Sequence, residues 1–123
     1  MKNKTIYAVV SPSISIAQWL SLCEKWDSEP DITMDTSLIN SSEEIMHVAK
    51  LAFLTKNRFF SLSVMSNLAE KELISNELLD TIFDIGDQAC KETVCLRKNL
   101  SKELDRKCKS VPLTHHYKKN KEL

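Results

Sequence analysis

The sequence predicts an all-α protein: a helical bundle of about four helices with a long C-terminal helix (about 76–109). Three observations carry this. One glycine and three prolines in 123 residues leave little turn chemistry for hairpins. Apolar side chains recur at steps of three and four over most of the chain. The best such run is Leu78, Ile82, Ile85, Ala89, Leu96, Leu100 and Leu104, with Thr93 filling its gap, and it traces one face of a 3.6-residue period. Hydrophobic residues at 42% and charged residues at 28% suit a folded globular chain, and the length suits a single domain over residues 1–110, followed by a basic tail at 111–123.

Taken in order, residues 5–10 are β-branched and aromatic enough for a strand. With no second strand to pair with, they are expected as a packed extended arm or a short helix. Ser13 or Ser15 then caps a helix carrying Ile16, Trp19, Leu20, Cys23 and Trp26 on one face. Both tryptophans are expected to bury against the long helix. The pattern lapses over 27–40, where Pro30 breaks any helix and acids accumulate, so this stretch reads as a long mobile or functional connection. Ser41 and Glu44 form a capping box opening a well-buried helix that ends near 56–57. Phe59, Leu62, Met65, Leu68, Ala69 and Leu73 give a third helix to about Ile74.

Ser75 or Asn76 caps the long helix, and Pro112 forbids much continuation past Ser110. At 1.5 Å per residue the rod would be roughly 50 Å long, against a diameter of about 35 Å for a compact chain of this size. It must bend, protrude or pack against a second copy, and Gly86 is the place for a bend. Its charges change sign: Glu77, Asp80, Asp84 and Asp87 come first, then Lys91, Lys98, Lys102, Arg106 and Lys109. That order opposes the helix dipole favourably. The pairs Asp87–Lys91, Glu103–Lys107 and Asp105–Lys109 fall at i,i+4 in the better orientation.

Formal net charge is zero, but residues 1–90 hold 13 acids and 7 bases while 91–123 hold 4 and 10. That difference of −6 against +6 restricts partners more than the sum does. The expected partner-binding residues are Lys98, Lys102, Arg106 and Lys109, joined by Lys118 and Lys119 of the tail. The bland alternative is a solvated stripe, or one answered by the chain's own acids at 27–44.

Chemistry is scarce. Glu44 and His47 have the Glu-x-x-His spacing of di-iron bundles but lack a second pair, so His47 is expected as a partly buried core histidine and Glu44 as a cap. Cys90 and Cys95 lie about 140° apart on one helix and cannot share a metal or a disulfide. Cys108 would sit roughly 27 Å beyond Cys90, and a site joining it to His115 and His116 is weak. Cys23 and Cys90 are expected as buried small hydrophobes, and Cys95 as an exposed, reactive thiol. A helix-turn-helix over 68–82 is a weak reading, because Leu73 occupies the tight-turn position and Glu77 and Asp80 on its reading helix repel phosphates. No stretch approaches the ~18 apolar residues of a membrane span. A cytoplasmic protein with reduced thiols is expected, with no cofactor and no metal.

The function expected from these residues is non-enzymatic binding of a protein partner by a polarised helical surface, in the manner of an inhibitor, immunity protein or chaperone/adaptor of phage or plasmid type. The alternative is a small nucleic-acid-binding regulator using the basic stripe. A homodimer fits either.

Overall fold

In the computed structural model, which describes residues 6–29, 31–56 and 58–111, most helices start where a short polar side chain can cap them. The hydroxyls of Ser15, Ser41, Ser75 and Ser101 and the carboxylate of Asp87 each accept from the backbone N–H three residues on. Each such cap is worth about 1 kcal/mol. The elements are β1 (Ile6–Val9), α1 (Ile16–Ser28), β2 (Ile32–Asp35), α2 (Ser42–Leu54), α3 (Phe59–Leu68), α4 (Asn76–Ile85), α5 (Gln88–Cys95) and α6 (Lys102–Lys109). The chain is thus mostly helical, with a small two-stranded sheet.

The core forms around α2 and α3. Ile45, Val48, Ala49 and Ala52 of α2 are fully buried, as are Phe60, Val64, Met65 and Leu68 of α3. Phe60 lies between the two tryptophans, with ring centroids 5.0 Å from Trp19 and 5.5 Å from Trp26. The tryptophans therefore pack on α3, where the sequence suggested the C-terminal helix. Trp19 is fully buried, and its Nε1 donates to Thr55 Oγ1 at 2.9 Å. The same hydroxyl bonds Ser61 and the Leu51 carbonyl, so the buried polar atoms satisfy one another. Asp27 and Arg58 form an ion pair between the end of α1 and the start of α3.

Two expectations for the N-terminal half fail together. Residues 6–9 are neither an unpaired arm nor a helix, and 27–40 is not a structureless connection. β1 pairs in parallel with β2, in the register Ile6↔Ile32 to Val9↔Asp35, with α1 as the connecting helix. Ile16 and Leu20 of α1, expected inward, are exposed. His47 is exposed rather than core, with Nε2 2.7 Å from the Ile14 carbonyl just before α1. The third helix ends at Leu68, short of Ile74. Its last carbonyls accept from the backbone N–H groups of residues 69–71, and just beyond it Arg97 Nη1 donates to Ala69 O at 2.7 Å and to Lys71 O at 2.9 Å.

The largest correction is to the long helix, which is three helices. Gly86 ends α4, with its N–H on Ile82 O at 2.8 Å, and Asp87 caps α5 immediately afterwards. The second break, over 96–101, separates α5 from α6, so Leu96, Leu100 and Leu104 do not share one helical face. It also lets the chain fold back. Cys95 and Cys108, placed far apart on a straight rod, are joined by a disulfide with Cα atoms 5.5 Å apart. Cys95 is fully buried, so it is neither exposed nor a reactive thiol, and the expectation of four reduced cysteines fails for this pair.

Cys23 and Cys90 are buried and free, as expected. Burial, together with the Asp87 carboxylate beside it, pushes the Cys90 thiol from 9.0 up to about 12. The folded state holds that proton after the unfolded chain has lost it. Its contribution is therefore complete below pH 9 and is lost as pH rises toward 12. Urea midpoints measured across that window should fall for the wild type and fall less for Cys90→Ala. Parallel profiles would remove Cys90 from the account.

Candidate interaction surface

α6 is built with two unlike faces. Leu104 and Cys108, one turn apart, point inward and are buried, and Cys108 is tied to the end of α5. Lys107 also turns toward the body. Its Nζ lies 2.6 Å from Asp80 Oδ1 and 2.9 Å from Asp84 Oδ1, and 5.6 Å from the centroid of the Phe83 ring. Hydrogen bonds to those two carboxylates hold the Lys107 ammonium above the usual lysine range. Lys91 approaches the same ring, at 5.2 Å, and donates to the carbonyls of Phe83 at 2.6 Å and Gly86 at 3.0 Å, closing the end of α4.

The outer face carries Lys102, Arg106 and Lys109, all exposed. At 100° per residue they fall within about 60° of arc and span about 10 Å along the axis. Lys98 is exposed in the connection before α6, off any helix. Among the described residues no carboxylate pairs with Lys98, Lys102 or Arg106, and Lys109 has Asp105 at 4.0 Å. Three of the six acids at 27–44 are engaged elsewhere: Asp27 with Arg58, Asp35 with the Ser37 N–H, and Glu44 with the backbone of Asn40 and Ser41. Lys118 and Lys119 lie outside the described residues, as do His115 and His116.

Of the three expected i,i+4 pairs only Asp105–Lys109 forms. Asp87 serves as a cap, and Lys107 prefers the two aspartates of α4 to Glu103. Glu103 and Asp105 remain exposed and flank the basic face on either side. The stripe expected along a 50 Å rod is a short cluster instead. The signal that could have revealed this is Ser101: a serine followed by two acids in the next four residues reads as a helix start.

Among the described residues no group of three or more His, Cys, Asp or Glu side chains could hold a metal, and no helix is long and apolar enough to cross a membrane. No protein-family model, curated protein or solved structure matches the chain.

Proposed function

We propose that the chain is a non-enzymatic binding protein of the inhibitor, immunity or adaptor kind that docks an acidic patch of a protein partner on the outer face of α6. The observation that carries this reading is the cluster Lys98, Lys102 and Arg106, exposed and without carboxylate partners among the described residues, beside Lys109. Lys102 and Arg106 are like charges one turn apart on α6, mildly destabilising to an isolated helix, so a complementary surface is their physical justification. A protein is favoured over nucleic acid because Glu103 and Asp105 border the cluster. Interleaved signs suit a protein surface, where charge pairing sets register, whereas both acids repel a uniform line of phosphates.

The test is capture from the source cells by the immobilised chain, compared with the triple variant Lys98→Glu, Lys102→Glu, Arg106→Glu. The variant should lose the captured protein while keeping its circular dichroism. Unchanged capture would discard α6 as the contact. A mobility shift of random duplex that disappears at moderate salt would favour the nucleic-acid reading.

A cytoplasmic location belongs to the same proposal. The Cys95–Cys108 bridge weighs against it, because a cytoplasmic thiol pool would keep both cysteines reduced. Alkylation of protein denatured directly from cells decides this: labelling of both supports the cytoplasm, and protection of both an oxidising compartment.

A further inference from the structure

Parallel strands are normally covered on both faces, and two strands alone form a marginal sheet. β1 and β2 are such a pair, and their outer edges differ. Val10 N–H donates to Asp35 O at 3.0 Å, which orients the backbone of Val10, and by alternation that of Ala8, toward β2. The N–H and C=O groups of Tyr7 and Val9 then point away from β2, to the side of β1 that no other strand occupies among the described residues. The side chains of those same residues are the exposed ones, 65% for Tyr7 and 49% for Val9, while Ala8 and Val10 are buried. β2 is guarded in the usual way, by Asp31 just before it and Asp35 at its end. From Ile6 to Val9, β1 carries no charge, no proline and no bulge.

We infer that the open edge of β1 pairs antiparallel with the same edge of a second copy of this chain, giving one sheet in the order β2–β1–β1–β2. A two-fold axis through Ala8 sets Tyr7 opposite Val9 of the second copy, and Val9 opposite its Tyr7. These are the residues whose backbone groups face outward, so each pair exchanges both of its N–H···O bonds. The same register stacks an aromatic side chain against a β-branched one, a favourable cross-strand pair.

Charge selects the occupant. The uncharged edge matches itself, whereas a β2-to-β2 junction would bring aspartates together. A second copy also arrives with its strand already held extended by β2, so little ordering entropy opposes docking, unlike a flexible peptide. The edge is short compared with the roughly 1,600 Å² of a standard interface, so dissociation constants on the order of 10–100 μM are expected.

Sedimentation of the full chain through that concentration range should show a monomer–dimer equilibrium. Val9→Lys should weaken it at least about tenfold, because it removes the β-branched member of both cross-strand pairs and a lysine on an edge strand opposes edge-to-edge pairing. Thr33→Lys, on the exposed face of β2, should leave it unchanged, and both variants should keep the wild-type circular dichroism. Amide exchange at Tyr7 and Val9 should slow with concentration in the wild type only. A chain that stays monomeric, a dimer indifferent to Val9→Lys, or a dimer whose Tyr7 and Val9 amides still exchange freely would each overturn the inference. Protection of those amides only on addition of a peptide matching residues 5–11 would assign the edge to a foreign strand instead. The dimer does not depend on the α6 reading, and the triple glutamate variant should still form it.

Discussion

Gly86→Ala should destabilise the protein by about 1–3 kcal/mol, and Gly86→Val by more, lowering the melting temperature by roughly 10 °C. The sign is informative because the backbone alone predicts the reverse. Gly86 has φ −78° and ψ 169°, which any residue adopts, and Gly→Ala at such a position commonly stabilises by about 0.4–1 kcal/mol through the unfolded chain. Space decides against it here. A Cβ at Gly86 would lie 2.4 Å from Cys90 Cβ and 2.6 Å from the Ile82 carbonyl oxygen. That oxygen accepts from the Gly86 N–H, so it cannot retreat without opening the last turn of α4. Cys90 cannot swing away easily either, since its N–H is on Asp87 Oδ1 and its Sγ is 3.3 Å from the Leu62 carbonyl. Urea unfolding of the alanine variant is the measurement, and a gain in stability would refute the close approach.

Removing the Cys95–Cys108 bridge should cost about 3 kcal/mol, the chain-entropy value for a loop of this size. The bond spans 13 residues and encloses the irregular segment 96–101, which among the described residues has few other ties to the body besides Arg97. The double variant Cys95→Ala, Cys108→Ala keeps apolar atoms at two buried positions, so the expected loss reflects mainly the missing constraint. A dithiol reductant should lower the melting temperature of the wild type and leave that of the variant unchanged. Thiol titration in denaturant without reductant gives the direct check: two reactive groups support the bridge, and four would refute it.

The helical class, the capping box at Ser41, the cap at Ser75 and the burial of α2 were legible because each is local. A serine followed three residues later by glutamate leaves few alternatives for the backbone between them. The breaks and the sheet were not legible, for one common reason: both depend on contacts distant in sequence. Leu96, Leu100 and Leu104 keep a helical step across a gap where no glycine or proline marks a stop, and Arg97 reaching to Ala69 and Lys71 helps hold the turn. Residues 32–35 alternate Ile, Thr, Met, Asp, a fair strand signal. They were obscured by the acids and Pro30 around them, and their partner lies on the far side of α1. Of the surface residues singled out, the sequence identified exposed cations correctly at Lys98, Lys102, Arg106 and Lys109, but on the wrong scaffold.

The two lysines that approach the Phe83 ring bear on how this protein can be dissected. Seven basic residues lie between positions 91 and 109. Lys91, Arg97 and Lys107 act as fasteners, holding helix ends and α6 to the molecule, and the remaining four look outward. On the proposed reading, a scan replacing every base with alanine would therefore sort into two populations, one melting earlier and the other holding its partner less well. An experimenter who pooled them would mistake an unlatched helix for a lost recognition surface.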